Sequence, residues 1–328
     1  GEWNERHTIR PSVFFNLEDF PELAHAVMLA LLLLSFILTT GGEAENGTNG
    51  TDSPSYPGAY TISAGGEHSC ALDHATGAVR CWGFGDYGQL GDGTATTSEM
   101  PVVVKGLGPA VAVSAGGMHA CAVEVTGVTK CWGKGEDGQL GFGGRSRRWE
   151  ARPVPHLGSA ANVSAGGSHT CVLERSGTVR CWGWGEFGQL GDGKALDSVY
   201  PVLVTGVSSA IDLCTGGLHS CALEQNGHVK CWGWGELGQL GPTDSNSAVP
   251  IEAGIENAVS VSCGYQHSCA LLEHSAGNLS AACWGRGMDG QLQTHDEVWA
   301  KTVRRVMRLN EVLESSAPMP TSPLRSIW

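Results

Sequence analysis

The tripeptide Cys-Trp-Gly occurs five times in this chain, beginning at Cys81, Cys131, Cys181, Cys231 and Cys283, at intervals of 50, 50, 50 and 52 residues. A fixed period of this length means that one small structural unit is repeated, each copy burying its apolar faces against its neighbours. The units read alike. An apolar stretch such as AVAVSAGG (110–117) opens each one, a second apolar stretch and a tight turn follow, and a third ends in Cys-Trp-Gly. The loop word GxxGQL comes next, and a short stretch such as PVLV (201–204) closes the unit. Four short strands joined by glycine turns make one propeller blade. The expected fold is therefore all-β, a β-propeller of about five four-stranded blades, preceded by an N-terminal apolar helix.

Each unit also carries two cysteines. In the third, Cys171 and Cys181 bracket VLERSGTVR. Pairing Glu174 with Thr178 leaves Arg175-Ser176-Gly177 as a three-residue hairpin loop, a type I turn followed by glycine in the left-handed region. Leu173 then faces Val179, and Cys171 faces Cys181. Opposed residues of an antiparallel pair have Cα atoms about 4.5–5.5 Å apart, within reach of a disulfide. The spacing is the same for Cys121 with Cys131 and Cys221 with Cys231. Cys70 with Cys81 has one extra residue and Cys269 with Cys283 has four, which the turns absorb. One cross-strand disulfide per blade is expected, with buried thiols as the alternative. Zinc is disfavoured, because a rigid hairpin offers two ligands where four are needed. Cys214 and Cys263 are left over, and either a bridge between them or two buried thiols fits the pattern.

The HxxAL-like strand, the hairpin, the WGxGxxGQLGxG word and the later Pro-Val strand resemble the repeat of the regulator of chromosome condensation family, from about 60 to 308. The resemblance implies a propeller usually of seven blades, where five repeats are counted here; LNEVLES (309–315) is a candidate sixth inner strand. It also implies a structural role for the repeated histidines. The founding member is a nuclear guanine-nucleotide exchange factor for a small GTPase and binds chromatin, so an intracellular regulator of a small GTPase is one functional expectation. Paired cysteines in every unit depart from the family and suit an oxidising compartment instead.

The amino-terminal part agrees with that departure. Residues 26–40, AVMLALLLLSFILTT, are apolar and uncharged, with Arg6 and Arg10 before and Glu43 and Glu45 after. This reads as a signal peptide cleaved after Ala44 or an uncleaved signal anchor. The expected organisation is an N-terminal region 1–44, a flexible linker 45–59, propeller repeats 60–315 and a tail 316–328. Asn46, Asn49 and Asn278 begin N-glycosylation sequons; Asn162 begins another on an inner strand, where access is poor.

Five histidines, His68, His119, His169, His219 and His267, recur at one repeat position and could suggest a metal ring. Symmetry puts them in different blades, so backbone hydrogen bonds are expected instead. Trp184 and Trp234 follow repeated Trp-Gly words, but the light-sensing cluster of a related plant photoreceptor needs Gly-Trp-Arg-His words absent here. No nucleophile–base word, phosphate loop or HExxH is present, and no cofactor is expected, so the chain reads as a non-enzyme. The net charge of −13 argues against a nucleic-acid partner. A protein partner is the expectation, with a membrane involved only through an uncleaved anchor. Binding residues belong where the repeats differ, and the longest differing segment is FGGRSRRWEAR (142–152). It sets Arg145, Arg147 and Arg148 beside Trp149, residue types favoured as interface anchors.

Overall fold

The computed structural model describes residues 60–274, 278–288, 291–292 and 299–308. The apolar run 26–40, the linker, Asn46, Asn49, the segment 309–315 and the tail lie outside them. Among the described residues no helix is long and apolar enough to cross a membrane.

Among the described residues twenty strands form five four-stranded antiparallel sheets, each in simple sequence order. The first blade comprises β1 (Tyr60–Ala64), β2 (His68–Asp73), β3 (Val79–Gly83) and β4 (Ser98–Val103). The second has β5 (Ala110–Ala115), β6 (His119–Glu124), β7 (Thr129–Gly133) and β8 (Arg148–Pro153), and the third β9 (Ala160–Ala165), β10 (His169–Glu174), β11 (Val179–Gly183) and β12 (Ser198–Leu203). The fourth has β13 (Ala210–Thr215), β14 (His219–Glu224), β15 (Val229–Gly233) and β16 (Ser247–Glu252), and the fifth β17 (Ala258–Cys263), β18 (His267–Glu273), β19 (Leu279–Arg286) and β20 (Trp299–Arg308).

Hairpin registers follow the loop chemistry. Leu173 pairs with Val179 and Cys171 with Cys181, Gly177 has φ +82°, and Glu174 N donates to Thr178 O at 2.9 Å. The longer turns of the first and fifth blades leave Cys70 opposite Cys81 and Cys269 opposite Cys283. All five pairs are disulfide-bonded, with Cα atoms 4.1 Å apart. That is somewhat shorter than the expected spacing, on the side that suits a pair flanked by hydrogen-bonded pairs rather than joined by them. Cys214 and Cys263, whose state the spacing left open, form a sixth bridge between the inner strands of blades four and five.

The middle strand of each blade records how the blades stack. In β6 and β14 every residue is buried, because a neighbouring blade covers both faces of the sheet. In β2 burial alternates, with His68, Cys70 and Leu72 covered and Ser69 and Ala71 half-exposed. In β18 the alternation has opposite parity: Ser268 and Ala270 are covered, His267, Cys269 and Leu271 half-exposed. Residues of one parity share one sheet face. Blade one is thus covered only toward blade two, and blade five only toward blade four. Packing runs from β1 to β5, β9, β13 and β17 in turn, with no comparable packing from β17 back to β1.

Candidate functional site

The sites on this frame are assembled from the junctions outward. In the second-to-third junction, Thr170 Oγ1 donates to Gln139 O at 2.9 Å, so its oxygen is left to accept from His119 Nε2 at 2.8 Å. Trp182 Nε1 donates to the same carbonyl at 2.8 Å. His169 with Ser220 and Gln189 O, and His219 with Ser268 and Gln239 O, repeat the arrangement. For His119, His169 and His219 the expectation of a backbone bond is therefore corrected: the partner is a hydroxyl of the next blade, and the hydroxyl reaches the backbone. Burial strips the rings of water and lowers their pKa to about 3 for His119 and His219 and about 4 for His68 and His169. Neutral, separate and sealed, these imidazoles are mortar between blades.

The other repeated residues serve the same junctions. The side-chain oxygen of Gln139 accepts from Asp137 N at 2.9 Å, closing its own loop. A Cβ on Gly116 would lie 2.5 Å from Gly166 O of the next blade, so only glycine lets these inner strands approach. Three cysteine sulfurs, of Cys214, Cys221 and Cys263, lie within 4.8 Å of one another. All three are already bonded in disulfides, which removes the thiolates a metal needs.

The variable segment of blade two forms the surface feature that the repeat does not require. Arg145 meets Asp197 at 3.0 Å. Arg147 is paired with Glu136 at 2.6 Å and lies 4.4 Å from the centre of the Tyr87 ring. Sequence alone offered the three arginines as equals; two of them are occupied in ordering the loop. Arg148 has no acidic partner among the described residues and sits 5.7 Å over Phe142. Trp149 leans across Gly88 of the first blade yet remains 51% exposed. Arg147, Arg148 and Trp149, with Phe142, Glu150 and Arg152, line an open groove of about 680 Å³.

A second surface feature was missed by the sequence reading. Phe187 stands 5.5 Å from Trp184 and 6.5 Å from Trp234, ring centre to ring centre, linking blades three and four. The signal was an aromatic residue inside the GxxGQL word, at the position held by Asp137 in blade two. Asn278 is exposed, while Ser280 of its sequon is buried and held by His274 at 2.7 Å.

Five sheets stacked face to face through these junctions define a repeat propeller. The sequence profile of the RCC1-like domain matches residues 39–319, and the chain belongs to that family. Human WBSCR16 is similar at 25% identity and TM-score 0.65, over 76% of this chain and 67% of that one. Prp20p from Saccharomyces cerevisiae is similar at 22% identity and TM-score 0.63, over 75% of this chain and 64% of that one. The chain thus spans about two thirds of the length of these structures. No curated protein is close enough to count as a match.

Proposed function

We propose that this chain is a non-enzymatic protein-binding scaffold that works in an oxidising, extracytoplasmic setting, secreted or held by residues 26–40. The six disulfides support the setting, since such bonds persist where glutathione does not reduce them. The observation that carries the binding role is the half-exposed Trp149 beside the unneutralised Arg148 in the groove of blade two. A rigid aromatic beside a guanidinium suits a protein partner with an apolar residue flanked by carboxylates. Asn278 carries glycan in this reading, added before its hairpin buries Ser280.

The test is affinity for a purified partner. Trp149→Ala and Arg148→Glu are each expected to weaken it by at least about 30-fold, the loss typical of an interface hot spot. Unchanged affinity in both variants would remove the groove from the account.

A second reading, regulation of a small GTPase, has one observation behind it: the likeness in fold to Prp20p, described with its binding to Gsp1p and histones. At 22% identity that likeness is one of architecture. Acceleration of nucleotide release from a small GTPase by the reduced protein would favour it.

A further inference from the structure

The two ends of the blade stack are complementary to each other, residue for residue. The junctions inside the chain set the rule, each keeping most of its parts. The hydroxyl of an inner-strand serine accepts from the next blade's backbone, as Ser63 does from Ala115 N at 2.9 Å and Ser114 from Ala165 N at 3.0 Å. The second residue of each Gly-Gly pair donates its N–H onward, as Gly66 does to Gly116 O at 3.0 Å. In three of the four junctions the repeated histidine meets a hydroxyl of the next blade, and in all four the next blade's tryptophan is covered.

The outgoing face of blade five holds every element of the giving half. Ser262 stands at the position of Ser63 and Ser114, Tyr265 supplies the onward N–H, and His267 is the histidine. The incoming face of blade one holds the receiving half: Ala64 for the serine, Gly65 for the N–H, and Ser69 at the position of Thr170, Ser220 and Ser268. Neither His267 nor Ser69 has a side-chain partner among the described residues.

Apolar surface is left open at the same two places. Ile62 is 60% exposed, whereas Val113, Val163, Leu213 and Val261 at its position are at most 8% exposed. Trp82 is half-exposed, whereas Trp132, Trp182, Trp232 and Trp284 are fully buried. On the giving side Cys269 and Leu271 are half-exposed, whereas Cys70 and Leu72 are fully buried.

We propose that the occupant of each face is a second copy of this chain, with blade five of one copy seated on blade one of the next. Ile62 and Trp82 then cover Leu271 and the Cys269–Cys283 bridge, and His267 Nε2 reaches Ser69 Oγ. The contact is head-to-tail rather than two-fold symmetric, so a dimer keeps one free face of each kind and can add further copies.

Sedimentation of the full chain under oxidising conditions tests this. The wild type is expected to grow in mass with concentration beyond a dimer or into a closed ring. Ile62→Asp blocks only the incoming face and Ser262→Arg only the outgoing one; each alone is expected to remain monomeric with unchanged circular dichroism. Mixed, they retain one good face apiece and form a 1:1 dimer and nothing larger. A wild type that stays monomeric at high micromolar concentration overturns the proposal, including the case in which another part of the polypeptide covers these faces. So does a dimer that both substitutions weaken and mixing fails to restore, because that dimer is two-fold symmetric.

Discussion

Between blades four and five, Cys214 and Cys263 are joined covalently at the two positions where other junctions place a serine hydroxyl and a backbone N–H. His219 reaches Ser268 at 2.8 Å, and Asp212 accepts from Ser260 Oγ and Val261 N across the same junction. Between blades one and two the plan is kept with one part missing. Ala120 stands where later blades carry Thr170, Ser220 or Ser268, and both ring nitrogens of buried His68 lack a partner. One architecture therefore contains a bolted junction and a slack one. Blade geometry comes from packing and strand register, which both junctions share; their strength is set separately, by one or two side chains.

Acid is expected to have the largest effect, because it attacks every junction holding a buried neutral histidine. Their folded pKa values of about 3 to 4 lie below the ordinary 6.5, so the unfolded chain binds protons first. The stabilisation is complete above pH 6.5, is lost progressively as pH falls below it, and is gone once pH reaches the folded values of about 4 to 3. Denaturant unfolding without reductant should show a flat profile from pH 7 to 8 and a drop of several kcal/mol by pH 4. A protein equally stable at pH 7 and 4 would mean that these rings are not sealed.

Cutting the bolt comes next. The Cys214–Cys263 bridge spans 49 residues, against 10 for the bridge of blade three. Loop entropy then assigns it about 4 kcal/mol and a hairpin bridge about 3 kcal/mol. Cys214→Ala with Cys263→Ala should therefore lower stability more than the same change at Cys171 and Cys181. Cys214→Ser with Cys263→Ala restores the serine acceptor of the other junctions and should recover about 1 kcal/mol of the loss.

The smallest effect sharpens the slack side. Ala120→Ser offers His68 the hydroxyl that its counterparts use and should add about 1 kcal/mol of stability. The same substitution should lower the protection of the junction from hydrogen exchange only if the serine fails to reach His68.

Much of this was legible before any coordinates. Leu173 opposite Val179 and Cys171 opposite Cys181 followed from the loop length, because strand side chains alternate and a hairpin loop fixes the register. Contacts within a blade are near in sequence. Contacts between blades are not: His119 and Thr170 are 51 residues apart, and nothing local marks the threonine as its partner. The absence at Ala120 becomes readable only once that partner position is known. Arg145 and Arg147 were similarly opaque, since their carboxylates, Asp197 and Glu136, sit in another blade and another turn. Cys214 and Cys263 stood in adjacent inner strands, but a one-residue offset left their pairing undecided until the sheets were stacked.

The most direct measurement is the intact mass of protein from its native host, alkylated under denaturing conditions without reductant. Six disulfides among twelve cysteines predict that no thiol is blocked, and that a peptide linking Cys214 to Cys263 is recovered after digestion. Twelve alkylated cysteines would contradict the account, leaving the blades unbolted and the extracytoplasmic setting without support.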